Sequence, residues 1–201
     1  MHPSEAVDPA GFLRTWHGNL PGWLPIFCAS PKKRETKVFN GSTYAEEAAK
    51  YALQMTGQGY NAYFGICPLA VKPPAGGRGT AEDTCALPGF WVEIDYGTVG
   101  HKQKNLCPDL PAALALVAKY PRKPTMLVHS GGGIHAYWRF QEPLKLTDTA
   151  GRAQARAMTD RFQSFFRTPE ANPSGYHVDT TADLARVLRV PGTLNFKELQ
   201  K

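Results

Sequence analysis

Cysteine is scarce in this sequence, and the four present (Cys28, Cys67, Cys85 and Cys107) lie 18 to 39 residues apart. None forms a C-x-x-C pair, so neither a zinc knuckle of ordinary spacing nor a disulfide framework is expected. Reduced, partly buried thiols are expected instead, with Cys107 and His101 the pairing a structural metal would use. No apolar run approaches the ~18 residues needed to cross a bilayer, so no membrane partner is expected. The first 18 residues contain no basic segment leading into an apolar one. A secretory leader is therefore not expected, and the chain reads as cytoplasmic. Internal repeats and low-complexity tracts are missing too, which excludes solenoids and long disordered linkers.

What is present is a globular composition: 201 residues, 42% hydrophobic and 11% aromatic. That length fits one compact core with a smaller lobe. Lysine and arginine outnumber the acids 23 to 17, giving a net charge of +6 and a pI near 9.2. Such a balance suits a polyanion, either nucleic acid or nucleotide phosphates.

Taken in order, Asp8 and Pro9 open a short helix as cap and first turn. Residues 23–27 read as a strand whose Pro25 places it at an edge. The run 31–37, with Lys32, Lys33, Arg34 and Lys37, reads as a basic loop: a solvated turn, or a contact to template or phosphate. Thr43 and Glu46 form a capping box that starts a helix ending at Gly57 or Gly59. A strand follows over 61–67, then a loop through 68–86 with Pro73, Pro74, Gly76, Gly77, Arg78 and Gly79, the expected boundary between lobes. Beyond it come a strand at 90–95 and a helix at 109–120 with Leu110, Leu114, Val117 and Ala118 on one face. Strands at 125–130 and 134–140 form a hairpin. A second helix spans 148–167, striped by Ala155, Met158, Phe162, Phe165 and Phe166. The last extended segment lies near 176–179 or 194–196. The fold class expected is α+β: an RRM-like (ferredoxin-like βαββαβ) palm over 87–201 and an N-terminal α/β lobe over 1–86, together one core.

Glu93 and Asp95 stand two apart on a strand, so both carboxylates share one face while Val92 and Ile94 face the other way. Two like charges side by side call for a cation, and a pair of divalent ions bridged by carboxylates is the usual arrangement for in-line phosphoryl displacement. Asp179 would supply a third carboxylate if its segment returns beside that strand. Ser130 leads into Gly131, Gly132 and Gly133, a turn whose amides can approach an anion, and His135 follows on the returning strand as a phosphate contact or a proton donor. Arg186 and Arg189 match phosphate oxygens, with Lys197 beyond the Pro191 and Gly192 turn.

These pieces together resemble the archaeo-eukaryotic primase superfamily, in particular the primase-polymerase domains of phages, plasmids and other mobile elements. The likeness rests on the acid pair Glu93 and Asp95, the small-residue loop from Ser130 to its histidine at 135, and Val178 followed by Asp179. The block 183–197 and the run Tyr63, Phe64, Gly65 leading into the Gly/Arg loop extend it over roughly residues 43 to 197. The resemblance implies a nucleotidyltransferase that copies a single-stranded DNA template with two Mg²⁺ or Mn²⁺ ions, starting or extending chains from nucleoside triphosphates. Glu93, Asp95 and Asp179 would hold metal, with His135 as a further catalytic residue; Ser130, Gly133, His135, Arg186, Arg189 and Lys197 would hold the nucleotide. Glu93 departs from the family, where aspartate usually opens the motif. Larger members append a helical priming domain or a helicase; this chain stops at Lys201, and an excised core with weak or absent priming is expected.

Two other readings stand beside this one. A non-catalytic RNA-recognition-type module predicts stacking aromatics on adjacent strands, for which Trp91, Tyr137 and Trp138 are the candidates. A two-metal nuclease would use the same acids.

Overall fold

The structure, a computed structural model, describes residues 8–97 and 103–196. Helix α1 (Pro9–His17) begins where Asp8 accepts a hydrogen bond from the Ala10 amide, and leads into strands β1 (Leu24–Ala29) and β2 (Arg34–Phe39). Helix α2 (Tyr44–Gly57) and strand β3 (Asn61–Gly65) follow, then the long strand β4 (Ala86–Asp95). Helix α3 (Leu110–Val117), strands β5 (Met126–His129) and β6 (Gly133–Lys145), helix α4 (Thr149–Phe165) and the short strand β7 (Val187–Arg189) complete the order.

The strands form two antiparallel sheets, ordered β2-β1-β3-β7 and β4-β6-β5. Alternation builds the first: Ile26, Cys28, Ala62 and Phe64 are wholly buried on one face, over α1 and α2. The second sheet is buried on both faces. Val92, Ile94 and Ala136 pack on Phe162 and Phe166 of α4 and its following turn. Trp91 and Tyr137 point the opposite way, into the core that also holds Phe12, Trp16, Phe64 and Leu188. Phe12 and Trp16 meet the Tyr137 ring edge-on at 5.2 and 5.1 Å. Gly89 permits the close β4–β6 crossing, since a Cβ there would fall 2.2 Å from the Trp138 carbonyl oxygen.

The architecture is mixed α+β as expected, and the RRM-like (βαββαβ) palm is met only in part, by strands ordered β4-β6-β5. Among the described residues the second sheet has three strands, and the final strand joins β3 in the first sheet rather than returning beside β4. Local side-chain bonds explain why 176–179 is not a strand. The Asn172 amide bonds to the Phe166 and Tyr176 carbonyls, and its oxygen accepts from the Tyr176 amide, meeting backbone groups a ladder would otherwise pair. Gln163 of α4 donates to the Trp91 carbonyl and accepts from the Thr181 amide, standing in as a bridge between β4 and the returning chain.

Smaller departures have similar causes. The basic loop is partly strand β2, because its backbone pairs with β1 from Ala29–Arg34 to Leu24–Phe39. No capping box closes α2: Thr43 bonds to Glu47, while Glu46 pairs with Arg14 of α1. On α3, Leu110 and Leu114 are more than a third exposed and Ala113 and Leu116 are buried instead. On α4, Met158 is exposed, and Thr159 and Gln163 are buried with their hydrogen bonds satisfied. The four cysteines are unpaired, and His101 lies outside the described residues.

His17 is the buried titratable group of α1. Its Nε2 donates to the Gly65 carbonyl at 3.1 Å, while Nδ1 is buried with no partner. Burial lowers its pKa to about 4, the Gly65 bond opposing and Arg139 reinforcing the shift. The unfolded chain therefore binds more protons than the native state between pH 6.5 and about 4. Stability from this group is full above pH 6.5 and falls by up to about 3 kcal/mol as pH drops to 4. Urea midpoints at pH 7 and pH 4.5 should show a smaller loss on acidification in His17→Gln than in the wild type.

Candidate active site

The register of the β4–β6 pair builds the centre of the site. Glu93 lies opposite His135 and Asp95 opposite Gly133, so the two carboxylates and the imidazole emerge on the face that carries Trp91 and Tyr137 in the core. Where the core ends, a cavity of about 840 Å³ opens. Glu93, Asp95, His135, Ser130, Asp179, Arg186 and Arg189 all line it. Gly133 sits just behind: a Cβ there would lie 2.6 Å from an Asp95 carboxylate oxygen and 2.8 Å from the Ile94 carbonyl. That glycine is required by the approach of β4, independently of any ligand. Lys197 lies outside the described residues.

Glu93 is paired with a cationic side chain in the structure. Its Oε1 accepts from Arg186 Nη2 at 2.8 Å and Nε at 3.1 Å, and its Oε2 stands 3.7 Å from His135 Nε2. Burial raises the Glu93 pKa, with Arg186 and a Thr181 hydrogen bond opposing and the Asp179 charge adding to the rise. A guanidinium thus neutralises the carboxylate that the sequence assigned to metal. Among the described residues no three His, Cys, Asp or Glu side chains stand close enough to hold an ion. The carboxylates of Asp95 and Asp179 have the hard oxygen chemistry that Mg²⁺ or Mn²⁺ takes. Glu93, committed to Arg186, does not fit that set as placed.

His135 is buried, and its Nδ1 lies 3.5 Å from the Tyr137 hydroxyl. Burial lowers its pKa to about 4, opposed by Asp95 and reinforced by Arg189 and Arg186. At neutral pH it offers a hydrogen bond rather than a charge. The Ser130 hydroxyl closes its own turn on the Gly133 carbonyl at 3.1 Å, and Gly131 adopts a φ of 100° beside Asn195. Arg189, which also lines the cavity, donates to Asn61, to the Leu194 carbonyl and to Asn195, whose amide in turn reaches the Ser130 carbonyl. This chain of bonds ties β7, β3 and the glycine turn together. The Asp179 carboxylate accepts a hydrogen bond from His177 Nε2 at 2.7 Å.

Arg34, Arg78, Phe27 and Tyr63 also line the cavity. The sequence offered Arg34 only as part of a basic run and Arg78 as part of a Gly/Arg loop. Thr36 of β2 donates to the Gly76 carbonyl at 3.1 Å and so holds that loop at the cavity. The aromatics proposed for an RNA-recognition surface are elsewhere: Trp91 and Tyr137 are fully buried and Trp138 is 7% exposed.

No protein-family model matches the chain, and no curated protein matches it. Among solved structures it is similar to the AEP domain of the cyanophage S-2L primase-polymerase, with a TM-score of 0.61 at 16% identity, over 96% of this chain and 87% of that one. Two structures of the primase RepB′, one of its catalytic domain with initiator DNA, align at a TM-score of 0.49 and 14% identity. They cover 94% and 96% of this chain and 50% and 79% of theirs, a likeness too loose to argue from. At 16% identity the first likeness shows the fold alone: the chain shares the architecture of the S-2L primase-polymerase AEP domain.

Proposed function

We propose that this chain is the catalytic domain of a DNA primase-polymerase, a nucleotidyltransferase that synthesises primers, extends DNA, or both, from nucleoside triphosphates on a single-stranded template. One observation carries the reading: a single cavity on this fold gathers carboxylates from β4 and the 179 segment with arginines from β2, the 76–78 loop and the 183–189 segment. Acids alone would equally suit a nuclease; Arg186 adds a partner for a triphosphate, and Arg34 and Arg78 add partners for the phosphates of a template strand.

We assign Asp95 and Asp179 to divalent cations, Mg²⁺ or Mn²⁺. Bound there, such ions would neutralise phosphate charge and favour the ionised form of the attacking hydroxyl. The other assignments concern side chains alone. Arg186, oriented by Glu93, meets phosphate oxygens. His135, neutral by burial, contributes a hydrogen bond, and Ser130 with its glycine turn bounds the triphosphate. Lys197 belongs to the same proposal by its place in the sequence. Domains 1–86 and 87–201 act as one unit in this reading, because β7 of the second half completes the sheet of the first. A helicase or priming domain would be a partner in the replication of a mobile element.

The test incubates the protein with primed and unprimed single-stranded DNA, labelled nucleotides, and Mg²⁺ or Mn²⁺. Incorporation on the primed template is expected. Absence of incorporation in both metals overturns the proposal, and shortening of the template favours the nuclease.

A further inference from the structure

The cavity has two chemically distinct walls. Its acids, Glu93, Asp95 and Asp179, come from β4 and the 179 segment, whereas every charged residue contributed by the first sheet and the 76–78 loop is an arginine. The open face of that sheet presents a row set by strand register. Phe27 pairs with Thr36 on one side and Tyr63 on the other, and Tyr63 pairs with Arg189. Strand alternation sends Ile26, Cys28, Ala62 and Phe64 into the core and leaves Phe27 and Tyr63 half-buried toward the cavity. Their ring centroids are 6.1 Å apart, tilted by 34°. The Arg78 guanidinium lies 5.6 Å from the Phe27 ring and that of Arg189 5.2 Å from the Tyr63 ring. Arg34 lies two residues along β2 from Thr36, on the same face.

We propose that this aromatic and arginine wall seats the template strand: an unpaired base of single-stranded DNA stacks on Phe27 and Tyr63 while Arg34 and Arg78 meet the flanking phosphates. The inference rests on the template-copying reading and names the part of the cavity that takes the template. Paired aromatics bounded by cations on a sheet face are suited to an unpaired base and its backbone, since every base offers a π-face and every linkage a charge. A free nucleotide is the weaker fit. Its triphosphate belongs to the acidic wall and its ions, which leaves the outlying Arg34 and Arg78 without a phosphate. The tethers of Arg189 to Asn61, Leu194 and Asn195 hold its guanidinium over the Tyr63 ring, at 5.2 Å from the centroid.

Binding is read without synthesis, by anisotropy of fluorescein-labelled oligo(dT) in the absence of nucleotide and divalent ion. Phe27→Leu and Tyr63→Leu keep apolar volume and remove the ring; each should weaken binding at least about fivefold, while Phe27→Trp retains it. Arg34→Gln and Arg78→Gln should each reduce the slope of log affinity against log salt by about 0.7. Circular dichroism melts matching the wild type confirm folding, and affinity for a fluorescent deoxynucleotide with Mn²⁺ should not change. Wild-type oligo(dT) affinity in both Leu variants overturns the proposal, as does a loss confined to the deoxynucleotide. A chain that binds oligo(dT) through these rings yet never incorporates nucleotide refutes the polymerase reading alone; incorporation with wild-type affinity in both Leu variants refutes this one alone.

Discussion

Asp95→Asn and Asp179→Asn should each abolish nucleotide incorporation on a primed template, a loss on the order of a thousandfold, while leaving the fold intact. The magnitude follows from the role proposed: losing a metal-bridging carboxylate removes several kcal/mol of stabilisation from the phosphoryl-transfer transition state. Asp95 extends from the end of β4 into the cavity rather than into the core, and asparagine keeps its shape against Gly133. A melting temperature within a degree or two of wild type should therefore accompany the lost activity. Full incorporation by either variant would refute the assignment of that residue.

A different outcome is expected at Arg186. Arg186→Gln leaves Glu93, only 15% exposed, without the cation that neutralises it. Breaking a fully buried ion pair costs ~3–5 kcal/mol; because the guanidinium is 36% exposed and partly hydrated, about 2 kcal/mol is expected. Glu93→Gln combined with Arg186→Gln should recover part of that loss, because the stranded charge is then gone. Guanidinium chloride unfolding of the wild type, both single variants and the double variant forms the cycle that measures this. Strictly additive losses would show that the pair does not couple. If Glu93 were instead held chiefly by the Thr181 hydrogen bond, the Arg186 variant would melt like wild type.

Much of the architecture was legible from local signals. Asp8 with Pro9, Asp109 and Asp148 mark helix starts, and the alternation around Glu93 and Asp95 correctly placed both carboxylates on one face. The acid pair, His135, Ser130, Asp179 and the two arginines were all named from the sequence, and one cavity collects them. What escaped depended on partners far along the chain. Edge strand β2 carries Arg34, Glu35, Thr36 and Lys37 with no apolar alternation, and only its pairing to β1 makes it a strand. Helix α3 is apolar nearly all round, so periodicity could not tell Ala113, which is buried, from Leu114, which is exposed. Gln163 links β4 to the 181 segment through side-chain bonds to Trp91 and Thr181, which composition does not announce. The commitment of Glu93 to a guanidinium 93 residues away could not be foreseen from spacing, and neither could the meeting of Phe27 and Tyr63 opposite the acids.

The placement of β7 also dictates when this protein can become itself during synthesis. Strand β3 is complete by Gly65, yet its edge waits for Val187–Arg189, and Arg189 closes on Asn61 across 128 residues. At ~5–20 residues per second a ribosome leaves that edge unpaired for several seconds or longer. During that interval the nascent first sheet presents open backbone donors and acceptors, the feature that invites intermolecular pairing. Closing so long a loop is entropically slow, so the last strand is also expected to be the late event in refolding. Arg186 arrives on the same segment. The carboxylate wall and Arg186 therefore meet only when the 183–189 segment docks, and a product truncated before it would lack the Glu93–Arg186 pair and expose the edge of β3.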